Sequence, residues 1–425
     1  MTVQSKRGGA NGRGISGRRP RLVVAATYPI HPPLGGGQVR AAHLYRGLSE
    51  VFDVELVTLT GHETSGRVTR ITPTLSERQV PKSARHAARE QELEREAGTV
   101  VTDIAMSELY ADTPDYLAAL GEAAEGARAV VACHPYSFPA IREVTDLPVW
   151  YEAQDVEATL KEHVLGSSQE ARRLLARAET VERECCQRAE LVWTCSAEDR
   201  TELIDRYAIE PDRVLVVPNG VALDEVPFVA PTVRHEHKRR LRLEDRFLAL
   251  FIASWHEPNV VGARELVHVA RRMPEVDVMI LGSVGLALTG WALPDNVQVT
   301  GTVDLEFKQA VLGIADAALN PVRTGSGTNL KMLEYFGSGT PVISTAFGAR
   351  GLGVCAGEHF IEAEPVAFPA VLRRLRGLDP KANEPMVRAA RRHVEQTHSW
   401  TAIAAELLAA LRARDARPGI DPPGP

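Results

Sequence analysis

A chain of 425 residues, 44% of them hydrophobic and 24% charged, has the composition of a soluble globular protein, which excludes a disordered or fibrous class. At roughly 100 to 200 residues per domain the length calls for more than one core, and two is the working number. A formal net charge of -6 argues against a general nucleic-acid binder.

Residues 1–20 are basic, rich in glycine and serine, and free of apolar periodicity, so they are expected to form a disordered tail. Arg18 and Arg19 precede "LVVAA" in a faint imitation of an export signal, but the apolar run stops at Pro29 without a small-residue cleavage site. No window reaches the ~18 uninterrupted apolar residues of a membrane span, which leaves membrane association at most peripheral. The cysteines, Cys133, Cys185, Cys186, Cys195 and Cys355, are odd in number and contain no CxxC. They predict neither a disulfide frame nor a zinc site, and a cytoplasmic location is the expectation.

From Arg21 onward, short apolar runs alternate with helix-like segments. "RLVVAATYPI" reads as a strand, "PPLGGG" as a loop, "QVRAAHLYRGLSE" as a helix and "DVELVTLT" as a strand. Residues 62–125 are charged and irregular, with helices expected around "SARHAAREQELEREAG" and "TPDYLAALGEAA". "ARAVVACHP" then reads as a strand ending at His134. "LPVWYEAQDVEATLKEHVL" reads as a strand running into a helix whose start is marked by Asp155. "ELVWTC" leads to "SAEDRTELIDRY", where Ser196 and Asp199 have capping-box spacing. The pattern breaks at "PFVAPTVRHEHKRRLRLEDR", resumes at "FLALFIAS", and alternates again to "TPVIST". This grammar predicts two doubly wound, Rossmann-like α/β domains in tandem, facing each other across a cleft. Their expected limits are 21–226 and 227–390, with a C-terminal helix over 391–416 packing back on the N-terminal domain and a disordered end at 417–425.

Ligands of doubly wound sheets sit beyond the carboxyl ends of the strands, so chemistry is sought in the loops that follow them. In "NPVRTGSGTNLKMLEYFGSGTP" a strand feeds the loop "RTGSG" and a short helix starting near Thr328 or Asn329 and ending at Gly337. Free backbone N–H groups at that N-terminus suit an anion such as a diphosphate, and Gly325 and Gly327 permit close approach. Arg323 and Lys331 add positive charge. Taken alone, the same residues equally describe an ordinary turn followed by a Lys331/Glu334 surface pair.

Resemblance tips that balance. "GTNLKMLEYFGSGTPVIST" is similar to the donor-site segment of the retaining glycosyltransferases of family 4, two-domain GT-B enzymes that use nucleotide sugars. The resemblance implies that Glu334 binds the donor ribose hydroxyls, a good match because a carboxylate accepts hydrogen bonds from two neighbouring hydroxyls. It implies that the loop Gly325, Ser326, Gly327, Thr328 and Asn329 holds the diphosphate and sugar. "YPIHPPLGGGQVRAAHLYRGLS" resembles the family's N-terminal glycine loop, which brings Gly35, Gly36 and Gly37 toward the diphosphate and transferred sugar. "VVACHPY" places His134 where the family has a histidine beside that sugar. "VPNGVALD" resembles the entry to the interdomain hinge, so Asn219 and Gly220 are read first as a tight turn and second as hinge residues.

Two departures stand out. Family members commonly carry two glutamates separated by seven residues, and the first is Ser326 here. Many also carry an Arg and a Lys after the first donor-domain strand, whereas "IASWHEPNVVG" has neither; Arg323, Lys331 and helix amides are the expected substitutes.

The resemblance implies transfer of a sugar from a nucleotide-sugar co-substrate, with retention, to an acceptor glycan, glycolipid or small molecule. No further cofactor is expected. No metal is expected either, because no DxD motif stands in a suitable loop. A non-catalytic homologue binding a nucleotide sugar or a protein partner is the alternative, and a two-domain sugar-nucleotide epimerase a third reading. Glu152, Asp155 and Glu157 are read as acceptor-facing groups or, for the last two, as a helix cap and a first-turn dipole partner. Trp255 and Trp400 are expected in the core.

Overall fold

The structure is a computed structural model that describes residues 19–325 and 328–416. The apolar runs of the sequence are continuous because the central strands are covered on both faces. In β1 (Arg21–Ala26), Val23 and Ala25 join one apolar cluster while Leu22, Val24 and Ala26 join another on the opposite face. Period-two alternation thus survives inside an all-apolar strand, divided between two cores.

The first sheet continues with β2 (Asp53–Thr60), β3 (Arg67–Thr72), β4 (Leu75–Pro81), β5 (Ala127–Cys133), β6 (Val149–Ala153), β7 (Leu191–Thr194) and β8 (Val214–Val216). Its order is β3-β4-β2-β1-β5-β6-β7-β8, parallel except that β3 pairs antiparallel with β4. The second sheet comprises β9 (Phe247–Ile252), β10 (Val276–Leu281), β11 (Val297–Gly301), β12 (Ala317–Asn320), β13 (Val342–Ser344) and β14 (Ile361–Glu362), in the order β11-β10-β9-β12-β13-β14. In each sheet the order reverses beside the first strand, between β1 and β5 and between β9 and β12. Those two switch points are where a crevice opens at the carboxyl edge. Tyr28 and His134 follow β1 and β5; Trp255 and Gly325 follow β9 and β12.

Several elements differ from the sequence reading. The irregular stretch contains the β3/β4 hairpin, whose β3 face is largely exposed and polar and so carries no apolar signature. The stretch read as a break contains a helix, Pro231–Arg240. Asp155 does not cap the helix Glu157–Val164; the cap position is Val156, without a side-chain bond. Arg19, assigned to a disordered tail, instead donates to the carbonyls of Ser49 and Glu50.

The segment 391–416 is divided between two helices. Helix Glu384–Thr397 packs on helix Leu330–Ser338 of the second sheet's layer. After a turn at His398 and Ser399, helix Trp400–Asp415 packs on helix Gly36–Leu48, with Trp400, Ile403 and Leu407 in the first domain's core. Gly220 crosses beneath it: a Cβ there would sit 2.7 Å from the Trp400 ring and 2.8 Å from Ile403. Only glycine lets the linker run this close to the returning helix. No helix among the described residues is long and apolar enough to cross a membrane.

Candidate active site

The carboxyl edges of the two sheets face one another across a cleft of about 790 Å³. Gly36, Gly37, Gln154 and Asn219 line it from one side, Lys331 and Glu334 from the other. Helix Gly36–Leu48 begins at the glycine loop, where Gly35 is the cap residue and the Gln38 side chain accepts its N–H at 2.8 Å. A Cβ on Gly37 would lie 2.5 Å from Gln154 Oε1 and 3.1 Å from the Tyr28 hydroxyl, so a side chain there would displace the cleft wall.

Opposite stands the nine-residue helix Leu330–Ser338. Its cap residue, Asn329, makes no side-chain cap bond, which leaves first-turn N–H groups for another acceptor. The helix ends at Gly339 in the left-handed region, φ 73°. Gly325, φ 121°, presents its carbonyl to Arg350 Nη2 at 2.9 Å. Thr328 Oγ1 accepts from Asn219 Nδ2 at 2.9 Å, a direct bond between the stretch that follows β8 and the glycine loop. Ser326 and Gly327 lie outside the described residues.

Lys331 donates to Asn259 Oδ1 at 2.7 Å and lies 5.3 Å from the centre of the Phe251 ring. Burial beside that ring, with no carboxylate against it, lowers its pKa to about 7. Asn259 belongs to the segment that lacks the family's usual basic pair, so Lys331 brings a cation to that wall from a different helix. Glu334 Oε1 accepts from Lys308 Nζ at 2.8 Å, and both side chains are partly open to the cleft.

The N-terminal wall is built from buried charge. Arg40 is fully enclosed, donates from Nε to Glu152 Oε1 at 3.0 Å, and donates from Nη1 to Pro218 O and Asn219 Oδ1, each at 3.1 Å. Its Nη2 has no hydrogen-bond partner among the described residues. Tyr45 donates to the other Glu152 oxygen. His134, at φ 71°, is held in a backbone region that non-glycine residues rarely occupy, at a cost of about 1–3 kcal/mol. Its Nδ1 pairs with Glu157 Oε1 at 2.7 Å, and Nε2 meets the Tyr28 hydroxyl at 3.1 Å. Burial works against the charged imidazolium, but the hydrogen bond and charge of Glu157 outweigh it and hold His134 above the ordinary histidine value. Glu182 in turn accepts the N–H groups of Glu157 and Ala158 at 2.8 and 3.0 Å, so it caps the helix that carries Glu157. Burial pushes Glu182 up to about 7.

The structure brings Gly36, Gly37, Asn219, Gly325, Thr328, Asn329, Lys331 and Glu334 to one cleft. Other expectations are corrected. Arg323 is not among the cleft-lining residues: its guanidinium is half exposed and pairs with Glu265. His134 stands one layer behind the lining, joined to it through Tyr28, whose hydroxyl also bonds Gln154. Trp255 is 58% exposed and lines the cleft, so it is no core residue, whereas Trp400 is buried. Glu152 and Glu157 are engaged inside the N-terminal domain. Among the described residues, Cys355, Glu358 and His359 lie close enough to hold a metal ion, but they do not line the cleft, and His359 Nδ1 accepts the Cys355 N–H at 2.9 Å.

Sequence reasoning missed Arg40, Lys308 and Arg350. Arg40 left a signal, a charge on the face of its helix that carries Ala41 and Leu44, which demands a buried partner. Lys308 left none, because its proximity to Glu334 is made entirely by packing of separate helices.

Two Rossmann-like domains with a shared cleft at their carboxyl edges define the GT-B class. Residues 35–220 match the family described as Glycosyl transferase 4-like domain, and residues 259–409 match Glycosyl transferase-like. Each half of the chain thus matches a glycosyltransferase-like domain on a GT-B scaffold.

Among curated relatives, a D-inositol 3-phosphate glycosyltransferase of Geodermatophilus obscurus is 28% identical over 239 residues, covering 51% of each chain. An MMP alpha-(1->4)-mannosyltransferase of Mycolicibacterium hassiacum is 28% identical over 239 residues, covering 53% of this chain and 54% of the relative. The chain thus spans about half the length of the curated relatives it matches. Sucrose-phosphate synthase from Thermosynechococcus elongatus superposes with a TM-score of 0.72 at 17% identity, covering 93% of this chain and 99% of that one. HepE from Anabaena, solved with UDP and glucose, superposes at 0.63 with 14% identity, covering 92% and 100%. These likenesses establish the fold.

Proposed function

We propose that the protein transfers a sugar from a nucleotide-sugar donor to an acceptor with retention of anomeric configuration. The observation that carries this reading is the opposed pair of helix N-termini, at Gly36 and Leu330, bracketing a cleft that also holds Lys331 and Glu334. Two helix N-termini and one cation suit a diphosphate, and a carboxylate further along the second helix suits a ribose.

In this reading the chain's own groups stabilise the departing diphosphate. Amides at the start of helix Leu330–Ser338 and the ammonium of Lys331 meet its charge as the glycosidic bond breaks. The acceptor hydroxyl approaches on the same face and passes its proton to a phosphate oxygen, so no protein nucleophile is required. His134 acts from behind the wall: with Nδ1 bound to Glu157 it fixes Tyr28, and Tyr28 helps hold Gln154 beside Gly37. A relative named as a D-inositol 3-phosphate glycosyltransferase supports a polar, hydroxylated acceptor.

Incubation with a panel of nucleotide sugars, reading slow donor hydrolysis and free nucleoside diphosphate, tests the activity. The anomeric coupling of the first product tests retention. A protein that binds no donor and hydrolyses none refutes the proposal.

A further inference from the structure

Lys308 is a charged residue in the cleft with no assigned task. It projects from helix Leu305–Ile314, and its ammonium lies 2.8 Å from Glu334 Oε1. The neighbouring wall is formed by Gly282, Ser283 and Thr302, at the carboxyl ends of β10 and β11. Both members of the pair retain about a quarter of their side-chain exposure, 24% for Lys308 and 26% for Glu334. Neither is consumed by the interaction. An ammonium has three N–H donors, and Glu334 takes one; a carboxylate offers about four acceptor sites, and Lys308 takes one.

A vicinal diol is the chemical complement of what remains. Each hydroxyl is at once a donor and an acceptor. Glu334 alone can receive the two hydrogens but leaves the hydroxyl oxygens to water, whereas an adjacent ammonium can donate to them. The pair also holds Glu334 aimed, so less ordering is left for the ligand to impose. We propose that Lys308 makes this end of the cleft a two-sided reader of the donor's 2′,3′-diol, selecting ribonucleoside over 2′-deoxyribonucleoside diphosphate donors. This inference rests on the reading of Glu334 as the ribose-binding carboxylate. Lys308 acts as a specificity-determining residue that also positions Glu334. A site built to hydrogen-bond a hydroxyl rejects the analogue lacking it, because its own polar groups are then left unpaired.

The test uses the full chain and calorimetric binding of uridine, guanosine and adenosine diphosphates, each beside its 2′-deoxy counterpart. The wild type is expected to favour the ribo form of the base it binds by about tenfold or more. In Lys308→Met that preference should fall to about threefold or less, and Lys308→Arg should restore most of it. Unliganded melting temperatures of all three proteins separate loss of discrimination from loss of fold. If Lys308→Met loses fold, the wild-type ratio alone decides, and a ratio near one overturns the inference. A wild type that binds a diphosphate with the same ribo-to-deoxy ratio as a folded Lys308→Met overturns the role of Lys308 and leaves the donor-site reading standing. Failure of every diphosphate to bind the wild type overturns both.

Discussion

The two walls of the cleft use charge in opposite ways. On the N-terminal side the ionic groups satisfy one another before any ligand arrives: Glu152 with Arg40 and Tyr45, His134 with Glu157, Glu182 with two backbone amides. On the C-terminal side Lys331 and Glu334 face the cleft, Lys331 bonded to the neutral Asn259 and Asn329 and Glu334 to Lys308, and the first-turn amides of their helix have no side-chain cap. The first wall is a template whose buried charges are paired with one another, with Arg40 Nη2 left over among the described residues. The second holds its charges in reserve for a ligand.

Substitutions should separate the two. The largest expected effect is on the template: Glu152→Ala strands Arg40 as a buried, uncompensated cation, and should cost about 3–5 kcal/mol of stability. Urea unfolding measures it, and a loss under about 1 kcal/mol would mean that Arg40 finds other partners or water. Glu334→Ala should invert the pattern, weakening nucleoside diphosphate binding about 10- to 100-fold, as for removal of charge-assisted bonds worth about 1.5–3 kcal/mol. Its melting temperature should stay within about 2 °C of wild type, since the Lys308 pair is partly exposed and contributes little. A large drop in melting temperature would erase the distinction between the walls.

The next effect is one of pH. Burial lowers Lys331 to about 7, and a bound diphosphate favours the ammonium. Affinity should therefore be full below pH 7 and weaken above it, by at most about tenfold per pH unit, until the pKa of the complex is passed. Calorimetry between about pH 6.5 and 8.5 reads the slope, which should flatten in Lys331→Met. The smallest effect is expected where the walls meet. Asn219→Ala removes the bond to Thr328 and one acceptor of Arg40, and should weaken donor binding about two- to tenfold. Unchanged affinity would show that the glycine loop keeps its shape without the Asn219 bond.

The legibility of the chain in its sequence follows the same division. The C-terminal wall of the cleft was readable because its parts are local: strand, glycine loop, cation and carboxylate fall within residues 317–339. The N-terminal wall was not. Glu152 and Glu157 were read as acceptor-facing groups in a strand-to-helix stretch, and they are held inside the domain by partners that include residues 40, 45 and 134. Trp255 was assigned to the core on the general habit of aromatics. It is exposed because the loop after β9 turns it into the cleft, with its N–H bound to Ser283 Oγ at 2.8 Å. Arg323 looked like a phosphate ligand from its neighbours in sequence, yet Glu265, on another helix, claims it.

By itself the amino-acid order determined what period and punctuation can determine. Apolar runs separated by amphipathic segments require parallel sheets covered on both faces, and glycines after strands mark where chain and ligand can come close. Tertiary structure alone decided which charges are paired and which are left to the cleft. Pairing depends on distances of a few ångströms between residues tens to hundreds apart in sequence, such as Arg40 and Asn219 or Lys308 and Glu334, and no local spacing encodes them.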